Sequence, residues 1–194
     1  MFALLGITYF YFMARVSLVP VLTYLTMMVV YCFIFRKIAI LDVMVISVGF
    51  VLRLLIGGGI TSTPISNWII IMVFLLALLI SFSKRRNDLI HENGQDRKSL
   101  NNYNISFINT VISILVPIII VTYILYCTSD ANISRVGGQL YLTTIFVIAG
   151  FLRYLQLIFV HNLGGDPVQL IYDDSALKII VVSWISTFGY FLYF

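Results

Sequence analysis

The chain has 194 residues, 61% of them hydrophobic and only 10% charged, with a mean hydropathy of +1.04 and a formal net charge of +4. Soluble domains carry roughly 25% charged residues, and a soluble core of this length has no means of burying so much apolar surface. The composition therefore excludes a water-soluble globular protein and makes lipid the main solvent; the Lys/Arg excess then bears on membrane orientation and not on nucleic acid.

Apolar runs fall at residues 1–13, 16–35, 41–60, 65–83, 105–126, 138–160 and 177–194. Most approach the ~20 residues that carry a helix across the hydrocarbon. Backbone groups in lipid must be satisfied within such a segment, and strand-type alternation is absent. The expectation is an all-α, polytopic transmembrane helical bundle of about seven spans, forming one integral membrane domain over residues 1–194. The first run begins at Met1 with no polar leader. It lacks the basic n-region and small-residue cleavage site of a signal peptide, and reads as a chain entered partway through a membrane domain.

The connecting loops alternate in charge. Arg36 and Lys37 lie in the loop at 36–40. Lys84, Arg85, Arg86, Arg97 and Lys98 lie in the loop at 84–104, and Lys178 follows the loop at 161–176. The opposite loops offer only Arg15 and Arg135. By the positive-inside rule the first set is cytoplasmic and the C-terminus lies outside. Cys32 and Cys127 then fall near opposite faces, which argues against a disulfide between them.

Polar residues therefore gather on one face. In Ser83-Lys84-Arg85-Arg86-Asn87-Asp88-Leu89 the cations suit phosphate or diphosphate, through the bidentate Arg fork and the compact Lys charge. Asp88 could hold a divalent cation bridging phosphate oxygens. The same run also reads as a topological anchor. Arg53 and Arg153 sit inside apolar runs, where a cation costs at least ~2.5 kcal/mol at the helix centre and usually faces a bundle interior. Arg153 is close enough to an end to snorkel. Gly164-Gly165-Asp166-Pro167, with Asp173-Asp174 after it, reads either as a metal or ribose-hydroxyl site or as a turn with solvated carboxylates. Gly57-Gly58-Gly59 lacks the Lys-Ser/Thr of a phosphate loop and reads as helix end or close packing. His91 and His161 have no ligand-type partner at helical spacing. Trp68 and Trp184 fit interfacial or packing roles.

In order, Leu41-Asp42-Val43, Gly49-Phe50-Val51-Leu52-Arg53, Pro64-Ile65-Ser66-Asn67-Trp68 and the 83–89 motif resemble the central signature of the UbiA-type prenyltransferase superfamily. The branch they look most like is the decaprenyl-phosphate phosphoribosyltransferase group, which Phe151-Leu152-Arg153-Tyr154 and Gly165-Asp166-Pro167 also match. The resemblance implies a nine-span helical bundle, of which this chain would be the C-terminal two-thirds. It implies an enzyme in the inner (plasma) membrane, active at the cytoplasmic face in cell-envelope biosynthesis. That enzyme would transfer 5-phosphoribosyl from phosphoribosyl pyrophosphate to a polyprenyl phosphate with Mg2+. Carried over, Lys84, Arg85, Arg86, Arg53 and Arg153 would hold phosphates. Asp88 and Asp166 would be metal or ribose contacts, and Asp173 and Asp174 would line the polar cavity. No catalytic nucleophile is assigned, since the lipid phosphate is itself one.

Two departures accompany the resemblance. The superfamily's first aspartate-rich motif, N-D-x-x-D-x-x-x-D, is absent, as if an N-terminal segment with two spans were missing. After Gly-Asp-Pro the branch often has Asp-Arg, where this chain has Asp173-Asp174. The alternatives are prenyl transfer from a prenyl diphosphate to an aromatic acceptor, or a non-catalytic membrane remnant. A transporter is disfavoured because no matched repeat with broken helices is present.

Overall fold

The computed structural model describes residues 18–90, 100, 102–161 and 167–193. Among them there are helices and no strands. In chain order these are α1 (Leu18–Phe33), α2 (Leu41–Thr61), α3 (Asn67–Ile90), α4 (Ile105–Cys127), α5 (Asp130–Val136), α6 (Thr144–Phe159), α7 (Pro167–Asp173) and α8 (Ser175–Tyr193). Short 3-10 turns lie at Phe35–Lys37 and Leu140–Thr143. Among the described residues five stretches are long and apolar enough to cross a membrane, Leu41–Thr61, Asn67–Ile90, Ile105–Cys127, Leu140–Phe159 and Ser175–Tyr193, while the helix in the expected run at 16–35 is shorter. The all-α polytopic bundle expected from the apolar runs is therefore the fold. The expected run at 1–13 lies outside the described residues.

Packing is densest between α3 and α4. Leu78, Leu79 and Phe82 of α3 meet Ile108, Ile112, Leu115 and Ile119 of α4 in one buried cluster, joined by Val43 of α2 and Ile158 of α6. Outward faces are apolar as well: Ile145, Leu152, Ile179 and Val182 are all exposed. In water such a surface would drive aggregation; in lipid it is the ordinary outside of a spanning helix.

Three boundaries differ from the sequence expectation. Helix α3 does not stop at residue 83 but continues to Ile90, so the cationic motif is helical and not part of a loop. The apolar run marks the depth of lipid and not the end of the helix. Lys and Arg are good helix formers, and Arg85 and Asp88 pair at i,i+3. Within the expected loop at 161–176, Pro167 opens the short helix α7; proline is favoured at a first helical position. Asp174 then precedes α8, its carboxylate accepting from Leu177 N at 2.7 Å, the usual service of an N-cap. On the other side, α5 occupies part of the link between α4 and α6.

Gly57-Gly58-Gly59 ends α2, as expected from its lack of a phosphate-loop sequence. A Cβ on Gly58 would lie 2.3 Å from Ile65 Cδ1, so the turn folds back against this glycine. At the other end of α2 the backbone is strained. Ile40 has φ 69° and ψ −49°, with Leu41 N donating to Ala39 O at 2.8 Å. This is a γ-turn that β-branched residues avoid. Such strain costs of order 1–3 kcal/mol, and the Ile40 side chain is exposed. Ile40→Gly is accordingly expected to raise the thermal midpoint in detergent; a fall would show that Ile40 side-chain contacts outweigh the strain.

Candidate functional site

The site is built where the ends of α2, α3, α4 and α6 converge. Asp42 lies in the first turn of α2 and is fully buried. Its Oδ2 accepts from Arg85 Nε at 2.9 Å. Its Oδ1 accepts from Tyr103 OH at 2.8 Å and from Val43 N at 2.9 Å. The Tyr103 hydroxyl also accepts from Ile40 N, which clamps the strained turn. Burial, reinforced by the Asp42 carboxylate, pushes the Tyr103 phenol well above its ordinary pKa. It therefore stays protonated and acts as the donor to Asp42. Asn104 follows and caps α4, accepting from Phe107 N at 2.6 Å.

The three cations of the motif have three different environments. Lys84 is exposed. Arg85 is buried between two carboxylates, Asp42 and, at 3.5 Å, the half-buried Asp88. Arg86 is also buried; its Nε donates to Asn109 Oδ1 at 2.8 Å and its guanidinium lies 5.5 Å from the centre of the Phe159 ring. Just before them, Ser83 accepts from Tyr154 OH at 2.7 Å. The turn before α2, the last turns of α3, Tyr103 at the approach to α4 and the end of α6 thus meet at one end of the bundle.

Tyr154 also lines an apolar cavity of 360 Å³ between α3, α4, α6 and α8. Met72, Leu79, Tyr123, Leu177 and Trp184 form its other walls. At its far end Trp184 Nε1 donates to Tyr123 OH at 2.9 Å, and Tyr123 OH lies 2.6 Å from Thr143 Oγ1. A greasy cavity therefore abuts the turn of α3 on which the cationic motif begins.

The remaining expected site residues lie elsewhere. Arg153 joins Asp174: its Nη2 donates to Asp174 Oδ2 at 2.6 Å and its Nη1 to Gln156 Oε1 at 2.7 Å. Asp173 is exposed. Arg53 is exposed on α2, with Nε donating to Tyr24 OH at 3.1 Å and the guanidinium 5.0 Å from the rings of both Tyr24 and Phe50. These partners lie on α1 and on α2 itself. Asp166 and His91 lie outside the described residues, and His161 is exposed. Cys32 is exposed and Cys127 buried, both as free thiols.

Asp42, Tyr103 and Asn109 were not singled out from the sequence as site residues. For Asp42 a signal was available: a carboxylate one residue into an apolar run needs a partner. Nothing local marks Tyr103 or Asn109, because their partners are distant in the chain.

Among the described residues no three His, Cys, Asp or Glu side chains come together to hold a metal. Asp42 and Asp88 face Arg85, and Asp174 faces Arg153. Carboxylates set against arginines are a poor fit to a Mg2+ cage built by these residues alone.

The Arg153–Asp174 pair carries a pH dependence. The hydrogen bond from Arg153, aided by the Leu177 amide, holds the Asp174 carboxyl below its ordinary pKa. A lowered folded-state value means the contribution is complete above the unfolded value of about 4 and is lost as the pH falls through the folded one. The difference in thermal midpoint between wild type and Asp174→Asn should therefore be constant from neutrality to mild acid and close in stronger acid. A difference that persists unchanged to the lowest pH would contradict the ionic origin.

No family model matches the sequence. Curated relatives do. The chain is 29% identical over 182 residues to the decaprenyl-phosphate phosphoribosyltransferase of Mycolicibacterium smegmatis, covering 88% of this chain and 57% of that protein. It is 26% identical over 167 residues to the protein of that name from Corynebacterium glutamicum, with 84% and 50% covered. It is 25% identical over 169 residues to that of Mycobacterium tuberculosis, with 86% and 55% covered. The chain thus spans about half the length of the curated relatives it matches. Over most of its own length, then, this chain is similar to proteins named decaprenyl-phosphate phosphoribosyltransferase.

Proposed function

We propose that the chain is part or all of a membrane-embedded transferase that moves 5-phosphoribosyl from phosphoribosyl pyrophosphate to a polyprenyl phosphate at the cytoplasmic face of the plasma membrane. The observation that carries this reading is the likeness to proteins of that name over 88% of the chain. The site is chemically suited to it. An exposed Lys84 stands at the end of a span, one residue from Ser83, whose partner Tyr154 lines the apolar cavity. That juxtaposition fits a phosphate head beside an isoprenoid tail.

In the proposed step an oxygen of the lipid phosphate forms a bond to the anomeric carbon of the ribose. The carbon–oxygen bond to diphosphate breaks, and diphosphate leaves with the electron pair. The main demand on the protein is electrostatic: cations placed where negative charge grows on the leaving group. Lys84 is proposed to meet that demand. Mg2+ would arrive as the donor's counter-ion.

The test offers membranes containing the chain two donor–acceptor pairs. One is labelled phosphoribosyl pyrophosphate with decaprenyl phosphate; the other is a prenyl diphosphate with an aromatic acid. A phosphoribosylated lipid from the first pair alone is the expected result. Product from the second pair alone would overturn the reading in favour of aromatic prenylation.

A further inference from the structure

Lys84, Arg85 and Arg86 are consecutive, so their side chains leave the helix axis about 100° apart. Three such cations cannot all face one substrate, and anchoring one sets the direction of the other two. Arg85 is the anchored one. Its partner Asp42 is fully buried and belongs to a different helix. Asp42 is itself held by Tyr103 and by the Val43 amide. The Tyr103 ring is fixed in turn, edge-on to Phe82 at 6.1 Å and stacked on Phe107 at 6.2 Å between centroids. Three segments therefore close on a single carboxylate: the strained turn at Ile40, the end of α3 and the approach to α4.

We infer that Asp42 is a positioning residue that acts through Arg85, fixing the rotation of the last turns of α3 so that Lys84 faces outward while Ser83 and Arg86 face α4 and α6. Its consequence for substrate rests on the proposed role of Lys84; its geometry does not. A buried ion pair contributes little net stability compared with an apolar pair of the same shape, but it can select one arrangement among several. Here the alternatives are rotations that would present a different residue of the motif to the cytoplasmic end.

Cysteine accessibility reads this directly. On a Cys32→Ser background, Ser83→Cys and Lys84→Cys are introduced separately into the full chain in detergent and reacted with a membrane-impermeant maleimide. The buried Cys127 serves as an internal control for the rest of the fold. With Asp42 intact, Lys84→Cys should react quickly, and Ser83→Cys and Cys127 slowly. Adding Asp42→Asn should speed labelling at Ser83→Cys about tenfold, as expected for two coupled sites, with Cys127 still protected. Tyr103→Phe, which keeps the ring but removes the hydroxyl, should move Ser83→Cys in the same direction by less. Phosphoribosyl pyrophosphate binding, followed by calorimetry on chains that retain Ser83 and Lys84, should weaken with Asp42→Asn.

Continued protection of Ser83→Cys in both variants would overturn the inference. So would Cys127 becoming reactive in step with Ser83→Cys, because Asp42 would then support the fold at large and not the rotation of α3. If the labelling pattern is as expected but the wild-type chain binds no phosphoribosyl pyrophosphate, the positioning role stands and the proposed function falls.

Discussion

Arg85→Met is expected to destabilise the chain by about 3–5 kcal/mol, the usual cost of removing one partner of a buried ion pair. The cost arises because Asp42 stays buried and loses the Arg85 guanidinium that balances its charge; the hydrogen bonds from Tyr103 OH and the Val43 amide bring no formal positive charge. Asp42→Leu combined with Arg85→Met removes both charges and should recover most of the loss, since buried pairs replaced by apolar residues are often neutral in stability. The measurement is thermal unfolding in detergent of the two single variants and the double. A double variant no more stable than Arg85→Met would mean that the pair makes a large net contribution of its own. The recovered double should still fail in phosphoribosyl transfer, because stability would return without the anchor that orients α3.

The bundle was legible in the sequence because lipid imposes a rule of length on apolar runs. The runs at 41–60, 105–126 and 177–194 lie within a few residues of α2, α4 and α8. Where charge begins, that rule stops. Residues 84–90 read as a loop because they are polar, yet they continue α3, whose backbone does not depend on lipid. The site was legible in part. Lys84-Arg85-Arg86 is marked by being cationic in a chain with few charges. Its division into one exposed and two buried cations was not, because burial depends on which helix lies opposite. Likewise Arg153 and Asp174 were each visible, but their pairing follows from the packing of α8 against α6. Asp42 illustrates the opposite case. A carboxylate one residue into an apolar run was a signal present in the sequence, yet Asp42 was read only as part of the Leu41-Asp42-Val43 motif and not as a site residue.

Lys84→Ala is expected to lower phosphoribosyl transfer by about 10²-fold, the order seen when one preorganised group facing developing negative charge is removed. Lys84→Arg should retain part of the rate, since it keeps the charge but changes the donor from a compact ammonium to a planar fork. Neither change should alter the thermal midpoint appreciably, because Lys84 is exposed and surface substitutions usually stay within about 0.5 kcal/mol. That separation between rate and stability distinguishes Lys84 from its neighbour: Arg85 variants should lose both, Lys84 variants only the rate. Initial rates with labelled phosphoribosyl pyrophosphate, measured alongside unfolding curves on the same preparations, provide the comparison. Wild-type rates in Lys84→Ala would remove this residue from the phosphate site and shift the electrostatic role to Arg86, which would have to exchange its contact with Asn109 for the substrate.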